Sequence, residues 1–135
     1  TTEGAQYVYC KKLVKNETGE RPLYTGYHST VSAFYYGTLI VGDQFDGNFD
    51  GYSALDTNIP LSSLKEPTAF DSPTTFAVAS VIPGWTAALQ LMRAGERWML
   101  YIPWQSAYGS SGNNDGTIPG YTALTFDLLL ERIVE

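Results

Sequence analysis

The stretch of sequence that decides the fold is PGWTAALQLM, residues 83–92. Its apolar residues at positions i, i+3, i+4 and i+7 of a helix are Trp85, Ala88, Leu89 and Met92. Good helix formers lie between them, and Gly95 follows as a stop signal. No other segment has convincing helical periodicity, so the sequence predicts a single short α-helix.

Alternating residues predict β-strands on both sides of this helix. The alternating segments are residues 6–15, 30–41, 97–102 and 124–130, and we expect the last two each to commit one face to the core. Residues 42–73 are rich in Gly, Asp, Asn, Ser and Pro, which predicts a long loop over the surface. Together the elements indicate an α+β domain, an antiparallel sheet with one short helix packed on it.

Composition narrows the class of protein. A chain of 135 residues falls in the range of one compact domain, and no apolar run approaches the length of a membrane span. The net charge of −6 leaves no excess of cations for phosphates, so nucleic acid and anionic membrane surfaces are not expected as partners. Aromatic residues make up 14% of the chain, a supply of rigid side chains suited to a core or a binding pocket.

The chain has one cysteine and one histidine. Cys10 cannot form an internal disulfide, and its alternating surroundings predict a small buried hydrophobic residue. His28 lies in a turn-like segment, and no Gly-x-Ser-x-Gly pattern accompanies it. A zinc scaffold and a serine hydrolase triad are therefore not expected.

Several motifs in one order resemble the FKBP-type peptidyl-prolyl isomerase family. They are YYGTL at 35–39, GDQFD at 42–46, VIPGW at 81–85, IP at 102–103 with AYG at 107–109, and GTIP at 116–119 with LTFD at 124–127. The helix region is most similar to macrophage-infectivity-potentiator-like and other bacterial extracytoplasmic members. The resemblance covers about residues 31–135. It implies one FKBP-like domain over residues 1–135, a twisted antiparallel sheet wrapped around one short helix, with an insertion at about 52–72.

The resemblance also implies a hydrophobic cup that binds substrate. In this picture Trp85 is the floor, and the proline ring lies among Phe45, Phe76, Trp85 and Phe126, with Val81 and Ile118 completing the substrate-binding set. The implied catalytic set is the Ile82 backbone N–H and the Tyr108 hydroxyl on the substrate carbonyls, and Asp46 with Tyr35 as its hydrogen-bond partner. Catalysis of this kind is non-covalent, with no cofactor and no metal.

The implied function is peptidyl-prolyl cis-trans isomerisation that assists protein folding. The expected partners are proline-containing unfolded or flexible polypeptides, together with tacrolimus-like macrolides. The members resembled imply the bacterial cell envelope, periplasmic or lipid-anchored, with a signal segment that is not present in this chain.

The sequence departs from the family pattern at two places. Asp50-Gly51 stands where many members carry an Arg that braces the Asp and Tyr, and Ser80 stands where Glu or Gln is common. One alternative that these departures and the long insertion leave open is an FKBP-like chaperone or peptide-binding module with little turnover. Composition alone leaves open another, an acidic, Tyr-rich carbohydrate-binding β domain.

Two further motifs compete for residues near the cup. Phe70-Asp71 repeats the Phe-Asp pattern but lies too far from Tyr35 to be preferred over Phe45-Asp46. Residues 46–51 match the first half of a calcium-binding loop, but the twelfth position is Thr57 instead of a bidentate Glu, so calcium is not expected.

Overall fold

The computed structural model describes residues 8–113 and 116–134, and in them six β-strands and one α-helix form the fold. The strands are β1 (Tyr9–Val14), β2 (Thr30–Leu39), β3 (Gln44–Gly47), β4 (Thr74–Ala77), β5 (Arg97–Ile102) and β6 (Leu124–Ile133). Helix α1 spans Pro83–Leu91, and short 3₁₀ turns lie at Val78–Ser80 and Trp104–Ser106. Gln6 and Tyr7 of the predicted first strand lie outside the described residues.

The six strands form one antiparallel sheet in the order β1-β5-β6-β2-β3, with β4 also paired to β2. Strand β6 pairs along one side of β2, from Val31↔Ile133 to Leu39↔Leu124. On the other side β4 pairs with residues 30–33 and β3 with residues 36–38, so β3 and β4 follow each other along β2. This architecture confirms the predicted α+β class.

Helix α1 packs on one face of the sheet, which we call the helix face. Trp85, Ala88, Leu89 and Met92 are all at most 4% exposed and form the main core with the strand residues of this face, including Leu100 and Leu128. The helical spacing of the sequence thus predicted the correct buried stripe. At nine residues α1 is short, and within the described part of the chain no helix could cross a bilayer.

The opposite face of the sheet, which we call the outer face, is also covered. Strand β5 was predicted to commit one face to the core, and this was wrong: Arg97, Trp98, Met99 and Leu100 are at most 4% exposed. Both faces of β5 are buried because α1 covers one of them and a chain segment covers the other.

The covering segment comes from residues 42–73, which were predicted to be only a surface loop. They contain β3, and they bury Phe49, Tyr52 and Ile59. Tyr52 and Ile59 form a second apolar cluster with Leu13 and Met99. The sequence hid this cluster because its apolar residues are widely spaced and their partners lie far away in the chain.

Cys10 is exposed, so its predicted burial was wrong. It lies on β1, which pairs only with β5 among the strands that the structure describes. Its side chain lines a groove beside α1 together with Ala87 and Leu91, and the helix does not extend over it. Alternation indicated which face Cys10 belongs to but not whether that end of the face is covered.

Candidate active site

Aromatic rings from β2, β3, β4, α1 and β6 enclose an open cavity of about 310 Å³, which we call the aromatic cup. Its lining residues are Tyr35, Phe45, Asp46, Phe76, Ser80, Val81, Ile82, Trp85, Tyr108 and Phe126. Every predicted site residue except Ile118 lines this cup. Its volume lies at the lower end of the range typical of small-ligand sites, which is about 300–1,000 Å³.

Trp85 forms the floor of the aromatic cup. Its ring meets three others edge to face, with centroids 5.3 Å from Tyr35, 5.0 Å from Phe76 and 5.1 Å from Phe126. Phe45 contacts Phe126 in the same manner at 5.6 Å. Edge-to-face packing favours each pair beyond the burial of area, so the rings hold one another in place around the cavity.

The start of α1 shapes the wall next to this floor. Pro83 takes the first helical position, which suits its fixed φ, and Ile82 before it is extended. The Ile82 carbonyl accepts the N–H groups of Trp85 and Thr86 at 3.0 and 3.1 Å, while its own N–H donates to no other described residue. An amide donor is thus available at the edge of the apolar cavity.

A β-bulge brings two consecutive residues of β3 to the cup. In the register Gly37 pairs with Asp46 and Thr38 pairs with Gln44, so Phe45 is the extra residue. Neighbouring side chains of a regular strand point to opposite faces, but with the bulge both Phe45 and Asp46 line the cavity. The bulge therefore places a carboxylate beside the aromatic rings.

Glycine at position 37 is required for this arrangement. A Cβ on Gly37 would lie 2.7 Å from the Phe126 ring and 2.9 Å from the Phe45 ring. Both distances are too short for real contacts, so any side chain here would push the two rings out of the cup.

The polar edge of the cup consists of Asp46, Tyr35 and Tyr108. One Asp46 oxygen accepts the Gly47 N–H at 2.8 Å, and the Tyr35 hydroxyl hydrogen-bonds the carboxylate. Burial raises the pKa of Tyr35 above its ordinary value, and the hydrogen bond to Asp46, the charge of Asp46 and the nearby Tyr108 raise it further. The Tyr35 phenol therefore stays protonated over the physiological range and remains a hydrogen-bond donor.

Ile118 is the one predicted site residue that is not among those lining the cup. It is 1% exposed and packs in the main core with Trp85 and Phe126. Its N–H donates to the Asn113 side chain at 2.8 Å, and its carbonyl accepts the Asn113 N–H at 3.0 Å. These two bonds close the preceding loop.

Ser80 lines the cup although it was not among the predicted site residues. The signal was present, since Ser80 directly precedes the VIPGW motif. The competing Phe70-Asp71 pair lies elsewhere: Phe70 is 97% exposed, and Asp71 accepts hydrogen bonds from Thr68 within a surface turn.

The calcium half-motif at residues 46–51 is occupied by protein hydrogen bonds. The Asn48 side-chain oxygen accepts the Tyr35 N–H at 2.8 Å, and the amide nitrogen donates to Ala33 and Thr74. Among residues 8–113 and 116–134, no group of three His, Cys, Asp or Glu side chains could hold a metal ion.

A second groove has a volume of about 400 Å³. Tyr9, Ile40, Tyr101 and Thr125 are among the residues that line it, and no Asp, Glu, His, Lys or Arg is among the described residues of its lining. Burial raises the pKa of a tyrosine in each cavity, Tyr35 in the cup and Tyr101 in the groove. The aromatic cup is the stronger candidate for an active site because, of the two, it has a carboxylate and an available amide beside its aromatic rings.

Known proteins share this sequence and this fold. A sequence profile described as "FKBP-type peptidyl-prolyl cis-trans isomerase" matches residues 25–131. The chain is 52% identical over 76 residues to the "Macrophage infectivity potentiator" of Trypanosoma cruzi, covering 52% of this chain and 38% of that protein. It is 40% identical over 106 residues to the "Outer membrane protein MIP" of Legionella longbeachae, covering 78% of this chain and 34% of that protein.

A crystal structure of a peptidyl-prolyl cis-trans isomerase from Pseudomonas syringae pv. tomato superimposes with a TM-score of 0.69 at 31% identity, covering 95% of this chain and 76% of that one. The chain spans 38% and 34% of the two curated relatives named above, so it corresponds to one part of each. The match over residues 25–131, together with the fold, shows that this chain belongs to the FKBP-type peptidyl-prolyl cis-trans isomerase family.

Proposed function

We propose that this domain is a peptidyl-prolyl cis-trans isomerase and that the aromatic cup is its active site. The observation that carries the proposal is the convergence of four aromatic rings around Trp85 with the Tyr35–Asp46 pair at the edge of one open cavity. Membership of the family supports the same reaction.

Such a cavity suits rotation about a prolyl peptide bond. The barrier of about 18–20 kcal/mol arises because the twisted amide loses its C–N double-bond character. A dry apolar site favours the less polar twisted amide over the planar, resonance-polarised one, and donors on the flanking carbonyls select the twisted geometry. An acceleration of about a thousandfold needs only about 4 kcal/mol of differential stabilisation, which a few oriented groups supply.

The residues of the cup divide into two roles in this reaction. The proline ring packs on Trp85 between Phe45, Phe76 and Phe126, with Val81 on the adjacent wall. The Ile82 N–H and the Tyr108 hydroxyl donate to substrate carbonyls, and Asp46, bonded to Tyr35, sets the electrostatic field at the twisting amide. Ile118 packs in the same core cluster as Trp85 and Phe126, next to the rings that hold the proline.

The substrates are unfolded or flexible polypeptides that contain proline, and the domain acts as a helper of protein folding. Tacrolimus-like macrolides fit the same cup, since they present apolar rings and carbonyls. Residues 1–135 act as one isomerase domain with an insertion at about 52–72. A place in the bacterial cell envelope is supported by the name of the Legionella longbeachae relative, an outer membrane protein.

The test is the cis-to-trans rate of a proline-containing tetrapeptide with and without the protein. We expect a saturable acceleration that falls about tenfold or more in Asp46→Ala and in Phe45→Ala, since each removes a group from the cup. Phe70→Ala and Asp71→Ala remove the same atoms from an exposed Phe-Asp pair outside the cup and serve as matched controls that keep full activity.

The isomerase activity would be ruled out if the wild-type protein gave no acceleration. The aromatic cup would be ruled out as the active site if the two cup variants matched an active wild type. Tight binding of the tetrapeptide without acceleration would instead identify a peptide-binding module.

A further inference from the structure

Asp46 lies on β3, which with β4 is one of the two shortest strands of the sheet. Strand β3 has four residues, is interrupted by a bulge and, among the described strands, pairs only with β2. Of the described residues that line the cup, Asp46 alone is charged, so no guanidinium there braces it. Contacts other than the pairing of β3 and a cationic partner must therefore hold Tyr35 and Asp46 next to each other.

Asn48, two residues after Asp46, makes four hydrogen bonds to neighbouring strands. Its backbone N–H donates to the Tyr35 carbonyl at 2.9 Å, and its side-chain oxygen accepts the Tyr35 N–H at 2.8 Å. Its amide nitrogen donates to the Ala33 carbonyl at 3.0 Å and to the Thr74 hydroxyl at 3.1 Å. The partners fix the orientation of the amide, since a backbone N–H needs an acceptor and a backbone carbonyl needs a donor.

These bonds join the strands that carry the pair. Both backbone polar groups of Tyr35 bond to Asn48, and Asn48 follows directly on the strand that bears Asp46. The bond to Thr74 adds β4, which carries Phe76 to the same cup. Tyr35 and Asp46 are thus both positioned relative to the same residue, Asn48.

We propose that Asn48 is the positioning residue of the active site, holding Tyr35 and Asp46 at the spacing at which they bond. The proposal rests on the proposed function, because it assigns Asn48 to the geometry of that site. Asparagine suits the place because it presents one acceptor and two donor hydrogens on a short side chain. Aspartate keeps the acceptor but puts an oxygen against the Ala33 carbonyl, and alanine keeps neither.

Three variants test this: Asn48→Ala, Asn48→Asp, and Asn58→Ala as a control at an exposed asparagine in the 52–72 insertion. We expect kcat to fall about tenfold in Asn48→Ala while KM changes by less than about twofold, because the rings that bind proline stay in place. Asn58→Ala keeps the wild-type kcat. An unchanged kcat, with or without a rise in KM, would overturn the assignment.

A pH series separates positioning from general destabilisation. A protonated carboxylic acid donates one hydrogen bond, so the activity of Asn48→Asp relative to wild type rises as the pH falls through the titration range of an aspartate, from about 6 to about 3.5. The ratio for Asn48→Ala stays flat over the same range. Folding is followed by circular dichroism under each condition, and flat ratios for both variants would count against the proposal.

The titration of Tyr35, followed by NMR of labelled tyrosine and assigned with Tyr35→Phe, decides the question even without activity. If Asn48 positions the pair, the pKa of Tyr35 falls toward its ordinary value in Asn48→Ala, since the bond to Asp46 that helps to raise it is weakened. An unchanged Tyr35 titration in the folded variant overturns the proposal. If the wild type proves inactive, the proposed function fails, and this titration alone still supports or overturns the role of Asn48.

Discussion

Two of the four Phe-Asp pairs of this chain, Phe45-Asp46 and Phe126-Asp127, have their rings in contact but their carboxylates in different surroundings. Their rings contact each other at 5.6 Å in the aromatic cup. Asp127 is 0% exposed, whereas Asp46 is exposed and lines the open cavity. The same dipeptide therefore supplies one buried structural carboxylate and one that is accessible to a ligand.

The surroundings of Asp127 satisfy the whole carboxylate. Arg97 donates to its two oxygens at 2.8 and 2.6 Å, and the Tyr52 N–H donates at 2.9 Å. Gly51 allows this approach, because a Cβ there would lie 2.6 Å from an Asp127 oxygen. Arg97 is itself 1% exposed and also donates to the Lys65 carbonyl. A buried ion pair of this kind fastens the covering segment to the outer face of the sheet.

The difference between the two pairs follows from strand regularity. Strand β6 runs without a register shift at Phe126 and Asp127, so their side chains point to opposite faces. Strand β3 has its bulge at Phe45, which brings Phe45 and Asp46 to the same side. A dipeptide thus acquires its role from the local hydrogen-bond register and from what covers each face.

The largest effect that we predict comes from breaking the buried ion pair between Arg97 and Asp127. Asp127→Ala leaves the Arg97 guanidinium buried without its partner, so the free energy of unfolding falls by about 3–5 kcal/mol. Urea unfolding followed by tryptophan fluorescence measures the loss. The double variant Arg97→Met, Asp127→Leu removes both charges and recovers most of the stability. A loss below about 1 kcal/mol in the single variant would mean that the pair is as weak as one on the surface.

A smaller, pH-dependent effect concerns Tyr35, which lies beside Asp46 in the aromatic cup. The pKa of Tyr35 is raised in the folded protein, so above about pH 10 the unfolded chain loses this proton first and binds fewer protons than the folded one. The contribution of Tyr35 to stability is therefore complete below that pH and is lost as the pH rises toward the raised value. The difference in the free energy of unfolding between wild type and Tyr35→Phe, measured at several pH values, isolates this contribution, since the titration of the other tyrosines is the same in both proteins. A stability difference that does not change above pH 10 would show that Tyr35 is not perturbed.

The smallest effect concerns another Phe-Asp pair, Phe70-Asp71, which lies in an exposed turn away from both carboxylates. Asp71 accepts two hydrogen bonds from Thr68 in an exposed turn, so Asp71→Ala lowers the free energy of unfolding by less than about 1 kcal/mol. Thermal unfolding is sensitive enough to measure this. A loss as large as that of Asp127→Ala would indicate that the turn also stabilises contacts elsewhere in the protein.

Much of the cup could be predicted from motifs, and the failures have physical causes. Phe45, Trp85 and Tyr108 were placed correctly in the cavity because each lies within a motif that resembles the family's pocket. Ile118 lies apart from the cup lining because a motif specifies an order of residues and not the depth of each side chain, and two hydrogen bonds to Asn113 hold its backbone. The role of Asn48 was missed because its four hydrogen bonds reach three residues, Ala33, Tyr35 and Thr74, in two strands distant from it in the sequence.

By itself the sequence determined the helix and its buried stripe, the main strands, the antiparallel α+β class, and the family, because periodicity and ordered motifs are local properties of the chain. Only the tertiary structure decided which carboxylate is buried and which is open, that Cys10 is exposed, and that residues 42–73 cover the outer face. These outcomes depend on the register of β3 and on contacts between residues distant in sequence, such as Tyr52 with Asp127. No local pattern encodes such contacts, because their energy exists only once the sheet has formed.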